Sequence, residues 1–158
     1  MKNFERLKEF YDKKIPVHIE KYCDVSLRWS DVVQLIDRHN RESLSMMQIN
    51  NGTIVLDYGF LSADAQANAT KINLIGLEEN KIYSSHFYIS FSESSETFDW
   101  HNDSCEVIYL QALGSTKWEI KNYGEYILSE GDIIYCPKEF FHKTTPLTSR
   151  VGISYGIR

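Results

Sequence analysis

The residues best placed to do chemistry are His101-Asn102-Asp103. On a strand, residues i and i+2 project to the same side. His101 and Asp103 would then present an imidazole and a carboxylate together. One further imidazole would complete a facial triad that leaves open positions on an octahedral metal, the arrangement of non-haem iron oxygenases. His142, His86, His39 and His18 are the candidates for it. His142 follows Gly131-Asp132-Ile133-Ile134-Tyr135-Cys136-Pro137, which reads as a turn, a strand and a second turn, and a barrel can bring it opposite the first pair. The plainer alternative for the H-x-D pair is two solvent-facing polar residues at a strand end. For His142 it is a partly buried histidine bonded to backbone.

The elements that must position these groups divide the chain in two. Phe4, Leu7, Phe10 and Tyr11 recur at helical spacing and predict an amphipathic helix over 3–12. Lys14 to Ile19 reads as extended, because the residue before Pro16 avoids the helical region. Ser30 is the expected N-cap of a second helix carrying Val32, Val33, Leu35 and Ile36 and ending near His39. From about Ser43 the pattern becomes strands. Met46–Ile49, the turn Asn51-Gly52 and Thr53–Tyr58 read as a hairpin with a type I′ turn. Residues 61–73 read as a loop or one short helix. Further strands are expected over Lys81–Phe91, Thr97–Asp103, Val107–Gln111, Trp118–Ile120, Tyr126–Leu128, Ile133–Cys136, Phe140–Thr144 and Val151–Tyr155. Many short strands with no long helix between them imply an antiparallel sandwich or barrel rather than βαβ units. The expected division is one domain over 1–158, with a helical lead-in over 1–42 and a β-barrel core over 43–158.

Composition sets the outer bounds. The 158 residues are 42% apolar, 25% charged and 13% aromatic, an ordinary globular balance. The formal net charge of −5 argues against direct nucleic-acid binding, for which a basic patch is expected. Cys23, Cys105 and Cys136 are odd in number and form no C-x-x-C pair, so they read as reduced thiols of a cytoplasmic protein. No apolar run reaches the length of a membrane span, and the first residues lack the apolar stretch of a signal peptide.

A longer pattern surrounds the H-x-D pair. Gln111 stands ten residues after His101 and is followed by Gly114-Ser115-Thr116-Lys117-Trp118. The run Leu128-Ser129-Glu130-Gly131-Asp132-Ile133-Ile134-Tyr135-Cys136-Pro137-Lys138-Glu139-Phe140-Phe141-His142 comes next. In order and spacing this resembles the JmjC and cupin-type oxygenases that depend on Fe(II) and 2-oxoglutarate, and most of all the branch that includes the bacterial ribosomal oxygenases. That branch carries H-x-D, then Gln, G-x-K-x-W and L-x-x-G-D-x-x-Y-x-P-x-G-x-x-H. The specific resemblance covers about 88–156. Two positions depart from it: Thr116 stands where the family lysine contacts the distal carboxylate of 2-oxoglutarate, and Glu139 stands where the family has glycine.

The resemblance implies a mainly β fold, a double-stranded β-helix (jelly-roll or cupin barrel) with the N-terminal helices packed outside, and the span 46–156 suffices for its eight strands. It implies Fe(II) on His101, Asp103 and His142, with 2-oxoglutarate and O2 as cosubstrates and hydroxylation of a protein or peptide side chain as the outcome. A free amino acid or small metabolite is the alternative substrate. Arg150, at the start of the last expected strand, is the first choice for the distal carboxylate, since an arginine grips a carboxylate with two parallel bonds. Lys117 is the second choice. Thr116, Tyr88 and Ser154 are expected to add hydroxyl contacts, and Gly152 and Ser154 to leave room. Asp99 is expected on the face of His101, Asp132 as the closure of its own turn, Trp100 and Trp118 as core or pocket wall, His86 as core or rim, and Cys105 and Cys136 as small buried hydrophobes. The loop 61–80 and the segment 92–98 are expected to shape a substrate groove, and sheet edges permit a homodimer. Two other readings compete. One is a cupin-type metalloenzyme that does not use 2-oxoglutarate, and the other is a non-catalytic, metal-stabilised binding module.

Overall fold

The computed structural model describes residues 3–57 and 82–158. The expected loop or helix over 61–73, the groove loop 61–80, Tyr58 and Lys81 lie outside the described residues. The lead-in consists of α1 (Asn3–Lys13), β1 (Val17–Ile19) and α2 (Trp29–Arg41). Leu7 of α1 is buried, and Phe10 and Tyr11 pack beside it on the core. The cap of α2 is Arg28, not Ser30. Arg28 has extended backbone, and its N–H donates to Asp31 Oδ2 at 2.9 Å. A carboxylate in the third helical position reaches back to an amide that would otherwise be unpaired. Ser30 is therefore already inside the helix, which runs on to Arg41.

The strands are β2 (Met46–Ile49), β3 (Thr53–Asp57), β4 (Ile82–Ser90), β5 (Glu106–Leu113), β6 (Thr116–Ile120), β7 (Gly124–Leu128), β8 (Ile133–Cys136), β9 (His142–Pro146) and β10 (Arg150–Ile157). The β2–β3 hairpin forms in the register Ile49 opposite Thr53, so three residues connect it rather than the two of a type I′ turn. Asn51 (φ 54°) and Gly52 (φ 113°) both take the left-handed conformation that the turn needs, and Asn50 is the additional residue.

All named pairings are antiparallel. A seven-stranded sheet runs β1-β8-β5-β10-β4-β3-β2, and a three-stranded sheet runs β7-β6-β9. From β4 onward the chain alternates between the sheets, β5, β8 and β10 joining the large one, β6, β7 and β9 the small one. The expected strand over Thr97–Asp103 is not formed. Its remnant is a single antiparallel bridge, His101 to His142, on the open side of β9, with Thr97 Oγ1 donating to the Thr144 carbonyl at 2.5 Å. The segment holds the position of a fourth strand in the small sheet without its ladder. The architecture is a double-stranded β-helix with helices on its outer face.

β5 shows how the two layers are built. All eight of its residues are buried, so its alternate side chains serve different cores. Ile108, Leu110 and Ala112 pack with the lead-in helices, whereas Val107 and Tyr109 pack between the sheets with Trp118, Leu128 and Ile134. β1 extends the large sheet beside β8, opposing Val17 to Tyr135 and Ile19 to Ile133. Asp132 fixes this corner. It accepts from its own turn at Ser129 N (2.8 Å), from Lys21 N (2.8 Å), and lies 3.2 Å from His18 Nε2. The turn closure expected of Asp132 is thus present, together with a tie to the lead-in.

Candidate active site

Two backbone segments meet at the open end of the barrel. His101 N–H donates to the His142 carbonyl at 3.1 Å, and His142 N–H donates back at 2.8 Å. Glu139 N–H donates to the Asp103 carbonyl at 2.9 Å. These three bonds fix the loop that carries His101 and Asp103 against the first residue of β9, so a bridge achieves the juxtaposition expected of a strand. One ligand atom each from His101, Asp103 and His142 lies within 4.8 Å of the others.

The imidazole orientations are set from behind. His101 Nδ1 is 2.7 Å from the Asp99 carbonyl, and His142 Nδ1 is 2.9 Å from the Phe140 carbonyl. A carbonyl only accepts, so each Nδ1 carries a proton and each Nε2 presents a lone pair, the tautomer that binds metal. Burial pushes the His142 pKa down, and the neighbouring His101 adds to this. The Phe140 carbonyl and Asp103 oppose it. The neutral ring is thereby favoured, yet its Nε2 lies 3.5 Å from Asp103 Oδ2. Two acceptors facing at that distance repel unless a cation or a proton lies between them. A divalent metal satisfies this set of two imidazoles and one carboxylate.

The walls are aromatic. Trp118 stacks on His142 at 5.1 Å and 18°, and Phe98 lies 5.5 Å from the His101 ring. The triad lines a cavity, and Arg150 lines it as well. Arg150 is 1% exposed. Its Nε donates to Ser90 Oγ at 3.0 Å and its Nη1 to Tyr109 Oη at 2.8 Å, while its Nη2 is buried and has no hydrogen-bond partner among the described residues. Among the described residues no carboxylate lies within 4.0 Å of it. A guanidinium does not give up its proton, and an uncompensated buried charge costs several kcal/mol, on the order of 3–5. The cavity thus brings together three groups that could hold a metal and, among the described residues, a cation without a carboxylate partner, a donor pattern suited to a chelating anion with a second carboxylate.

The remaining expected residues are distributed as follows. Tyr88 and Ser154 line the same cavity. The Tyr88 phenol is pushed well above its ordinary pKa by burial and then by Asp103, and its ring centroid is 6.0 Å from the Arg150 guanidinium carbon. Thr116 is buried at the start of β6 outside the cavity lining, with Oγ1 unpaired. Lys117 points to the other face of β6 and pairs with Glu119 at 3.2 Å. Gly152 leaves no room, because the Tyr109 phenol occupies the space a Cβ would take. The Asp99 carboxylate does not share the face of His101. It pairs with Lys143 at 3.1 Å, and the Asp99 carbonyl does the orienting. His86 stands 3.7 Å from Asp57, and His18 and His39 belong to the lead-in. Cys136 is buried and Cys105 half-buried; burial pushes the Cys136 thiol up to about 12. Sequence reasoning missed Tyr109 and Ser90. The available signal was positional: Tyr109 is two residues before Gln111 and so shares its strand face.

No family model and no curated protein matches the sequence. Solved structures do. YcfD, a ribosomal oxygenase from Escherichia coli, matches with a TM-score of 0.74 at 15% identity over 96% of this chain and 51% of that one. YcfD in complex with cobalt and 2-oxoglutarate matches with a TM-score of 0.72, also at 15% identity and the same coverage. KdgF from Halomonas sp. gives 0.50 at 12% identity, over 74% of this chain and 91% of that one. The likeness establishes the fold, a jelly-roll barrel shared with an oxygenase. The chain spans about half the length of the YcfD structures it matches.

Proposed function

We propose that this chain is an Fe(II)- and 2-oxoglutarate-dependent oxygenase that hydroxylates a protein or peptide side chain. The observation that carries the reading is the coexistence, in one cavity, of the His101–Asp103–His142 set and the unpaired Nη2 of Arg150. The sequence pattern and the fold shared with a ribosomal oxygenase support it, as does that oxygenase's complex with cobalt and 2-oxoglutarate.

In this reading His101 Nε2, Asp103 and His142 Nε2 would hold the metal. When bound, metal and cosubstrate would supply the O2 chemistry: oxidative decarboxylation of 2-oxoglutarate to succinate and CO2, coupled to hydroxylation of a substrate C–H bond. The chain's own residues orient and exclude water. Arg150 neutralises the distal carboxylate through Nη2, in dry surroundings where the attraction is stronger than in water. Tyr88 and Ser154 stand on the cavity wall as hydroxyl partners, while Thr116 and Lys117 lie outside it. Trp118 and Phe98 cover the two histidines and keep them from swinging. The acidic balance of the chain favours a basic protein target over a neutral one. The odd number of cysteines and the lack of a C-x-x-C pair fit a reducing, cytoplasmic setting.

The test is an anaerobic Fe(II) titration with and without 2-oxoglutarate. A weak visible charge-transfer band is expected only with both present, and it should vanish in His101→Ala. Metal binding with no response to 2-oxoglutarate would replace this reading with a cupin of other chemistry. Absence of metal binding would leave a barrel that only binds partners.

A further inference from the structure

Tyr109 lines the cavity between Arg150 and Trp118. Its phenol oxygen accepts from Arg150 Nη1 at 2.8 Å and donates to Gln111 Oε1 at 3.3 Å. Gln111 Nε2 donates in turn to the Leu113 carbonyl at 2.7 Å, which sets the amide with its oxygen toward the phenol. The single phenolic proton is thereby committed to Gln111, and a lone pair is left for the guanidinium. The Tyr109 ring lies 5.1 Å from Trp118, and Trp118 stacks on His142. Gly152 on the neighbouring β10 admits the phenol, because any side chain there would overlap it. The guanidinium is also held at Nε by Ser90 Oγ, itself 2.9 Å from Thr53 Oγ1.

We propose that Tyr109 is a positioning residue for the distal carboxylate of the cosubstrate. It acts through Arg150, fixing Nη1 so that Nη2 is the donor that remains for the ligand. The inference rests on the reading of this cavity as a 2-oxoglutarate site. It adds a residue of the cavity wall whose phenol, engaged by Gln111 and Arg150, sets how well Arg150 grips the carboxylate.

The experiment compares 2-oxoglutarate with pyruvate, which keeps the oxo-acid chelate but lacks the distal carboxylate. Both are titrated calorimetrically into the full chain loaded with Mn(II), in wild type, Tyr109→Phe, Arg150→Met and the double variant. Wild type is expected to bind 2-oxoglutarate more tightly than pyruvate. Tyr109→Phe is expected to weaken 2-oxoglutarate about tenfold or more, the typical effect of a hydrogen bond to a charged group. Its affinities for Mn(II) and pyruvate should stay within about twofold of wild type, and it should add nothing once Arg150 is gone. Equal 2-oxoglutarate affinity in wild type and Tyr109→Phe overturns the inference. So does an equal loss of pyruvate and Mn(II), which marks a merely structural role, or an additive effect in the double variant. Should Tyr109→Phe not fold, Gln111→Leu removes the acceptor that orients the phenol. A selective loss of about threefold is then expected, and no loss overturns the proposal. A wild type that does not distinguish the two acids removes the 2-oxoglutarate reading itself, and the inference falls with it. That outcome is separable from the others because it needs no variant.

Discussion

The two ends of the cavity are built in opposite ways. At the end proposed to hold the metal (the metal end), His101 and Asp103 sit on a loop, are partly exposed, and are held by backbone groups: the paired bonds between His101 and His142, the Glu139 amide, and the carbonyls of Asp99 and Phe140. At the end proposed to hold the anion (the anion end), Arg150 begins β10 between β4 and β5, is buried, and is held by the side chains of Ser90 and Tyr109 from those two strands. A metal needs open coordination positions and an approach, which a loop at the barrel mouth allows. A carboxylate is gripped best where water is absent, which strand interiors supply. The difference also decides what a mutation can reach. Backbone carbonyls survive side-chain substitution, so the metal end fails through its ligands. The anion end fails through its neighbours as well.

The largest effect expected is Asp103→Ala. It removes a ligand and should lower Fe(II) or Mn(II) affinity by at least about a hundredfold, since loss of even an outer partner of a metal ligand costs 10–100-fold. The half-exposed carboxylate contributes little to folding, so the melting temperature without metal should hardly move. Calorimetry with Mn(II) and a thermal melt check both. Metal affinity retained in this variant would break the assignment of the open end. Next is Arg150→Met. It should weaken 2-oxoglutarate by about a hundredfold, within the range for removing one member of a buried charge pair, and leave Mn(II) affinity unchanged. Its metal-free stability should stay within about 1 kcal/mol of wild type, because relief of the buried charge offsets the lost bonds to Ser90 and Tyr109. Loss of metal affinity along with 2-oxoglutarate would show that the two ends are not separable.

The same contrast governs what could be read from the sequence. The grouping of His101, Asp103 and His142 was legible because all three fall on one long pattern that resembles the oxygenases, from H-x-D through Gln111 and Gly131-Asp132 to Pro137, and the barrel class followed from many short strands with turn residues between. Arg150 was legible only as a cation at a strand start. Its bonds to Ser90 and Tyr109 span 60 and 41 residues and arise from the register of three strands, which no local pattern encodes. The strand expected over Thr97–Asp103 was misjudged because its role needs only one bridge, not a ladder. Gly152, expected to leave open space for the cosubstrate, leaves its space to Tyr109. Gly152→Ala sharpens this point. It should displace the phenol, lower stability by about 2 kcal/mol as overpacking does, and weaken 2-oxoglutarate while sparing Mn(II). Urea denaturation and the calorimetric pair measure it. An unchanged stability would mean that the phenol has somewhere else to go.

The smallest effect tests the backbone side of the comparison. Glu139 stands where the family pattern has glycine, yet it adopts that residue's conformation, with φ 67°. Its amide holds the Asp103 carbonyl, so the turn cannot relax without loosening a ligand loop. An L-residue in the left-handed region is disfavoured by roughly 1–2 kcal/mol, and glycine's greater freedom in the unfolded chain takes back roughly 0.5–1 of that. Glu139→Gly should therefore stabilise the protein by about 0.5 kcal/mol. The Glu139 side chain is exposed and outside the cavity lining, so Mn(II) and 2-oxoglutarate affinities should be unchanged. A urea titration reads the first and calorimetry the second. A loss of stability would mean that the glutamate side chain contributes more at this turn than its backbone strain removes, and the metal end would then rest on side chains, as the anion end does.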